Sequence, residues 1–351
     1  MLKIGILGCG KITEVRHAPE YAENPACRID AWYDAIPERA EALAKKYGGR
    51  VCKSAEELLR MDLDAVSVCV ANIYHADMTV KALKSGKHVL CEKPMATSLA
   101  ECEAMVAAAR ESGKHLMIGH NQRYAPAHQK AREMIAAGDI GDVLTFLTTF
   151  GHSGPEIWTG TKNSWFFDKN KAVFGALADL GIHKADLIHY LTGDVIVECS
   201  AFLGTLDKKT PDGAPVSVDD NAVCIMRLKK GGMGILRVSW TFYGQEDNST
   251  RIYGTKGVLR VYDDPRQSLI WEKRDGTIER YELDHITTND EQTSGHRRST
   301  GVIDAFVDSI LTDTPSLAEG SEAIKAMRAI FAAAQSAEEG RAVRVEQEQP
   351  L

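Results

Sequence analysis

From Lys3 to about His120, short apolar runs alternate with amphipathic stretches. Lys3–Leu7, Arg28–Tyr33, Asp64–Ala71, Lys87–Cys91 and His115–Ile118 are each apolar enough to be covered on both faces, which predicts buried strands. The stretches between them carry helix punctuation. Ser54-Ala-Glu-Glu57 and Ser98-Leu-Ala-Glu101 are capping boxes, and Gly48, Gly86 and Gly113 stand where helices should stop. After Ser98, the apolar residues Leu99, Cys102, Met105, Val106 and Ala109 share one helical face. Strands alternating with helices predict an α/β unit with a doubly wound parallel sheet.

The pattern changes after about Asn121. One helix is predicted from Pro126 to Ala137, stopped by Gly138, and a second from about Gly175 to Leu191. Strand-like runs follow at Val195–Leu206, Ala222–Leu228, Met233–Phe242, Val258–Tyr262, Ser268–Lys273 and Thr277–Leu283. Lys229-Lys-Gly-Gly232, Gly254-Thr-Lys-Gly257 and Arg274-Asp-Gly276 supply tight turns between them. Consecutive strands with short turns predict an antiparallel sheet, so this half is expected to be α+β. Helices near Thr300–Leu311 and Ser316–Ala337 close the chain. At about 150 residues per domain, 351 residues fit two domains, expected at 1–121 and 122–351.

Composition narrows the partners. Hydrophobic residues are 44% and charged residues 26%, which is ordinary for a folded globular chain. The net charge of −7 comes without basic clusters, so the cations that would release counterions from a polyanion are missing and nucleic acid is not an expected partner. No stretch approaches the roughly 20 apolar residues of a membrane span. None of the eight cysteines is spaced as Cys-x-x-Cys, which favours free thiols in a reducing, cytoplasmic setting and disfavours a structural metal.

Chemistry gathers at three places. Gly8-Cys-Gly-Lys-Ile12-Thr13 follows the first strand directly and opens the first helix. Glycines there permit a tight turn and the approach of a pyrophosphate to bare backbone, while the helix N-terminus supplies N–H donors. Asp34 ends the second strand, where a carboxylate accepts from the ribose hydroxyls of a dinucleotide and repels a ribose phosphate. NAD is therefore expected, and Arg39 keeps NADP open. The structural alternative is a plain turn with Asp34 at a solvated strand end. Thr13 stands where the motif's third small residue serves helix–strand packing.

Cys91-Glu92-Lys93-Pro94 closes a strand at the carboxyl edge where open sheets bind ligands, so Lys93 is a candidate to face a reacting group. Asp179-Leu-Gly-Ile-His183 places a carboxylate and an imidazole on one helical face, one turn apart. Such a carboxylate orients the ring and raises its basicity, as a general base near neutral pH requires. A surface pair or two ligands of a metal site are the alternatives, the latter lacking a third ligand at local spacing.

With these residues in view, the chain resembles the glucose–fructose oxidoreductase, inositol dehydrogenase and rhizopine-catabolism (Gfo/Idh/MocA) group of nicotinamide-dependent oxidoreductases. The resemblance rests on Gly8–Ile12, Asp34, Glu92-Lys-Pro94, Arg123-Tyr124 with Pro126, Gly138-Asp-Ile-Gly141, Asp179-Leu-Gly-Ile-His183-Lys-Ala-Asp186 and Gly254-Thr-Lys-Gly257, in that order. It implies a Rossmann domain joined to an α+β domain whose large, mostly antiparallel open sheet serves oligomer contacts, as a dimer or tetramer. It also implies that Lys93, Asp179 and His183 match the catalytic trio, with Gly8, Gly10, Lys11, Ile12, Asp34, Arg39, Ala71, Asn72, His75, Glu92, Lys93 and Arg123 at the cofactor. Three departures stand out: Val70-Ala71-Asn72 where the family often has Thr-Pro-Asn, Val173-Phe-Gly-Ala-Leu177 where a glycine-rich run is common, and Thr13.

The expected reaction moves a hydride between NAD and a secondary hydroxyl of a sugar, sugar derivative or cyclitol. The aromatic loop before the Asp179 helix offers Trp158, Lys162, Asn163 and Trp165 as substrate contacts, and His152, Tyr243 and His296 are further polar candidates. Core or interface packing is the competing account of these rings. Two rival functions stay open: an NAD-dependent glycoside hydrolase working by transient sugar oxidation, and a non-catalytic NAD-binding sensor. His17 and Tyr21 are expected to be packing residues.

Overall fold

The computed structural model describes residues 1–162, 164–285 and 299–346, and the chain divides into two compact units. The first comprises Met1–Asn121 with the described part of Arg298–Ile324, and the second comprises Gln122–Arg297 and Lys325–Leu351, again where described. This contact division differs from the expected 122–351 boundary by grouping 298–324 with the first unit. The segment after 299 adds to the first unit because it completes a sheet edge there.

In the first unit, β1 (Leu2–Leu7), β2 (Cys27–Tyr33), β3 (Arg50–Val51), β4 (Ala65–Val68), β5 (His88–Cys91) and β6 (Leu116–Ile118) form a parallel sheet ordered β3-β2-β1-β4-β5-β6. The reversal of direction at β1 and β4 is the switch point where doubly wound sheets bind ligands. β1 and β4 are nearly free of exposed residues, as helices on both faces demand. Ser54 and Ser98 cap their helices, accepting from Glu57 N and Glu101 N at 3.1 and 3.3 Å. The returning carboxylates reach one residue further back than the capping box predicts, to Lys53 N (2.7 Å) and Thr97 N (3.0 Å). At the β6 edge, Ile118 N donates to Ala318 O at 2.9 Å and Leu116 N to the Glu319 carboxylate at 3.2 Å.

In the second unit, β7 (Val143–Gly151), β8 (Ile196–Gly204), β9 (Asn221–Leu228), β10 (Met233–Ser239), β11 (Thr250–Gly254), β12 (Gly257–Asp264), β13 (Gln267–Lys273), β14 (Ile278–Tyr281) and β15 (Val343–Arg344) form one sheet, ordered β14-β13-β12-β11-β7-β10-β9-β8-β15. Every described pairing is antiparallel except β7 with β10. The three predicted turns lie between β9 and β10, β11 and β12, and β13 and β14. β3, β7, β11 and β15 match none of the predicted strand runs. β7 holds the centre of the sheet, yet its Thr-rich sequence alternates poorly between buried and exposed. The helix Ile182–Thr192 packs on β7, with every residue from Ile182 to Leu191 buried. It is entered through a π-helical turn, Leu177–Gly181. A helix so covered is held by its contacts on all sides and not by a single apolar stripe.

Candidate active site

The glycine turn of the first unit is built to admit a phosphate. Gly8 has φ +95°, and a Cβ there would lie 2.4 Å from the Cys69 carbonyl oxygen, so only glycine fits. A Cβ on Gly10, by contrast, would meet nothing within 4 Å, which leaves open room over the helix start. First-turn N–H groups have no intrahelical acceptor and favour an anion. Thr13, fully buried, donates its hydroxyl to Gly8 O at 2.7 Å; the departure from a smaller residue thus pins the turn. Asp34 accepts from Cys9 N at 2.6 Å and Ile36 N at 2.8 Å, one bond per oxygen. A carboxylate accepts about four hydrogen bonds, so capacity for ribose hydroxyls remains. Lys11 pairs with Glu14 at 3.2 Å, and Arg39 is exposed on the helix Pro37–Tyr47. These groups fit a dinucleotide.

At the end of β5, Glu92 and Lys93 are half-buried, and the Lys93–Pro94 peptide is cis. Glu92 accepts from His17 Nε2 at 2.8 Å and from Lys93 N at 3.2 Å. Beneath this pair, Tyr21 and Ser67 share a 2.7 Å hydrogen bond, and His17 Nδ1 lies 3.3 Å from Ser67 Oγ. His17 and Tyr21 are therefore members of a buried polar network, not inert packing. Burial opposes charge on His17, but Cys69 and the Glu92 carboxylate override it and hold its pKa well above the ordinary value. Burial likewise opposes charge on Glu92, and His17 with Lys93 brings its pKa below the usual range.

Of the other residues assigned to the cofactor, Asn72 and His75 are buried. His75 spans two backbone carbonyls, Pro94 O at 2.7 Å and Val70 O at 3.0 Å, and so ties the segment after β4 to the one after β5. Burial presses its pKa down against both bonds. Ala71 stands at the N-cap position of the short helix Asn72–Tyr74, without a side-chain capping bond. Arg123 has a carboxylate partner. Its guanidinium, in the second unit, makes a buried two-pronged pair with Asp186, Nε to Oδ2 at 2.8 Å and Nη2 to Oδ1 at 2.6 Å. It anchors the helix bearing His183.

Asp179 and His183 are both buried and share one helix face, the carboxylate inside the π turn and the imidazole in the α segment after it. Such turns recur at functional sites because they re-aim a side chain within a helix. Asp219 fixes the start of this segment: its carboxylate accepts from Gly175 N (2.7 Å) and Leu177 N (2.8 Å), and its carbonyl from Ala176 N (2.9 Å). Burial pushes the Asp219 carboxyl up to about 6. Trp240 Nε1 donates to Asp179 Oδ2 at 3.1 Å. The His183 ring meets Phe150 edge-on at 5.8 Å, and the His152 ring meets the same phenylalanine at 5.8 Å, its Nδ1 accepting from Gly154 N at 2.9 Å. Lys184 is fully buried, donates to Asn248 O at 2.9 Å, and is brought down to about 7 by burial.

Trp165 stacks on Phe166 at 4.0 Å, Trp158 meets Phe166 edge-on at 6.1 Å, and both indoles are half-buried. Tyr243 is exposed, its hydroxyl bonded to Asp207 and its ring beneath Lys208 at 5.0 Å. Asn163 and His296 lie outside the described residues. Sequence reasoning missed Trp240, Asp219 and Phe150, whose partners are 61, 42 and 33 positions away along the chain. The one available signal was the tandem Asp219-Asp220 before a strand, where acidic residues are uncommon.

Comparison with known proteins agrees across both units. Residues 2–120 match the family described as "Oxidoreductase family, NAD-binding Rossmann fold", and residues 128–260 match the "GFO/IDH/MocA C-terminal domain". Inositol 2-dehydrogenase of Rhizobium meliloti is 26% identical over 98% of this chain and 99% of its own. Levoglucosan dehydrogenase of Pseudarthrobacter phenanthrenivorans is 28% identical over 74% of this chain and 73% of its own. Among solved structures, an oxidoreductase domain protein from Kribbella flavida superposes with a TM-score of 0.86 at 28% identity, covering 99% of both chains. An NAD complex of GenD2 from gentamicin A biosynthesis gives 0.82 at 26%, covering 99% of this chain and 97% of that one. On its two matched domains and its glycine turn, the chain belongs to the Gfo/Idh/MocA family of NAD-binding oxidoreductases.

Proposed function

We propose that this protein oxidises a secondary hydroxyl of a sugar, sugar derivative or cyclitol, with NAD as the hydride acceptor. The observation that carries the reading is the Asp179–His183 pair: a buried carboxylate and a buried imidazole four residues apart, the carboxylate held by the Trp240 N–H and the imidazole against the Phe150 ring. Relatives named for inositol, levoglucosan and D-glucoside dehydrogenation support the substrate class.

The groups that would hold NAD are the Gly8–Ile12 turn and Asp34, with Arg39 outermost. When bound, the nicotinamide supplies the hydride acceptor. His183 takes the hydroxyl proton, and Asp179 stabilises the imidazolium that results. Lys93 donates a hydrogen bond to the oxygen as negative charge develops there, an interaction strongest in the transition state. Ala71, Asn72 and His75 shape the loops that flank Lys93, and Trp158, Trp165 and Tyr243 are offered to the apolar face of the substrate. We place the protein in the cytoplasm on its eight cysteines, each buried as a free thiol. Among the described residues no helix is long and apolar enough to cross a membrane.

The test is a screen of sugars, glycosides and cyclitols read by nicotinamide absorbance with NAD and NADP, repeated on Lys93→Met. K93M is expected to lower kcat by about 100-fold or more, the scale of a lost general acid–base or electrostatic group, with the NAD dissociation constant unchanged. Equal loss of turnover and NAD affinity contradicts the role given to Lys93. Glycoside cleavage without net NADH formation would replace the dehydrogenase reading.

A further inference from the structure

Trp240 follows β10 and is fully buried. A buried indole N–H needs an acceptor, and here it is the Asp179 carboxylate, 61 residues away and 3.1 Å distant. The backbone holds the indole in place: Trp240 N donates to Asp220 O at 2.8 Å. The preceding residue, Asp219, accepts from the N–H groups of Gly175, Ala176 and Leu177. The tandem Asp219-Asp220 thus fixes both the segment that carries Asp179 and the side chain that bonds to it.

The ring itself has a second set of neighbours. Phe166 and Phe167 meet it edge-on at 6.4 and 5.9 Å, and Phe166 in turn carries Trp165 and Trp158. The indole therefore joins the aromatic loop offered to substrate with the carboxylate behind His183. An N–H bonded to a carboxylate favours the ionised form and fixes which oxygen is engaged.

We propose that Trp240 is a positioning residue: its N–H holds the Asp179 carboxylate in one orientation, and its ring couples the seating of Trp158, Trp165 and Phe166 to that carboxylate. The proposal rests on the dehydrogenase reading of Asp179 and His183. Trp240→Phe keeps a ring and removes the donor. With the best substrate of the screen, W240F lowers kcat about 10-fold or more, the loss typical of a hydrogen bond to a charged group, while KM and NAD affinity change less than about 3-fold. In the Asp179→Asn background, adding W240F costs less than about 2-fold, because the charge that the N–H orients is already gone.

A spectroscopic arm is independent of turnover. The indole N–H resonance absent from the spectrum of ¹⁵N-labelled W240F is the one displaced in D179N; if W240F does not fold, through-space contacts to the Phe166 and Phe167 rings assign it in the wild type. An indole signal unmoved by D179N overturns the bond in solution, and equal losses from W240F in the wild-type and D179N backgrounds overturn its catalytic role. If D179N itself turns over normally, the dehydrogenase assignment of Asp179 fails, and the resonance shift still decides whether Trp240 holds it.

Discussion

At the scale of single residues, the first unit shows how a buried pair ties the glycine-turn helix to the strand end bearing Lys93. His17 comes from the π-helical turn Thr13–His17 and Glu92 from the end of β5, with side chains only 3% and 15% exposed. Both pKa values shift toward the charged forms, so the pair's stabilisation has a definite pH window. Raised on folding, the His17 pKa gives a contribution that is complete below about 6.5, its unfolded value, and lost as pH climbs through the raised one. Lowered on folding, the Glu92 pKa gives one that is complete above about 4.5 and lost as pH falls through the depressed one. The pair therefore contributes most between about pH 4.5 and 6.5. His17→Gln should destabilise the protein by about 3 kcal/mol there, the scale of breaking a buried pair from one side. Urea melts of both proteins at pH 6 and pH 9 check this: the gap between them narrows at pH 9. A gap that widens with pH would mean His17 is held neutral.

At the scale of elements, the catalytic helix depends on a glycine for a reason periodicity does not reveal. A Cβ on Gly175 would sit 1.8 Å from the backbone oxygen of Asp219, a contact no side-chain rotation relieves. Gly175→Ala must push apart the start of the π turn and the strand entry that pins it. The expected cost is about 3 kcal/mol, at the upper end for overpacking, with kcat falling because Asp179 moves with the turn; thermal melting and steady-state kinetics measure the two effects. Sequence reading found this helix, its length and its Asp179–His183 face, because those are local signals of spacing. It found β1, β2, β4, β5 and β6 and both serine caps for the same reason. It did not find β7, whose pattern of three poorly buried residues followed by an almost continuous buried run reflects a central, mixed-sheet position instead of simple alternation. Nor could it find Trp240 or Asp219, whose roles exist only once strands far along the chain are laid beside the helix. The Arg123–Asp186 pair was equally hidden, because a motif reports that a residue type recurs and not which side chain it meets.

At the scale of the molecule, the outer face of the second sheet points to assembly. β9 alternates buried and exposed residues along its length, and its outward positions include Val223 and Ile225, where a sheet facing water would carry polar groups. On β10 the outward positions include Met233 and Ile235, and on β8 Phe202 is 81% exposed. The register makes these neighbours: Phe202 pairs with Val223, and Ile225 with Ile235, so the apolar surface crosses three adjacent strands. Side chains this apolar, contiguous over a pleated face, mark an interaction surface more often than solvent exposure. A second copy of the same face is the simplest cover, since self-association through one patch closes with two-fold symmetry. We therefore propose a homo-oligomer, a dimer or a pair of dimers, formed through β8–β10. Ile225→Glu places an unpaired carboxylate at the centre of that contact, where desolvation without a partner is costly, and leaves the inward face and the Asp179 helix untouched. Light scattering coupled to size exclusion should give at least twice the monomer mass for the wild type and the monomer mass for I225E. Retained circular dichroism would separate dissociation from unfolding. A wild-type protein that elutes as a monomer at micromolar concentration would assign this face to a different partner.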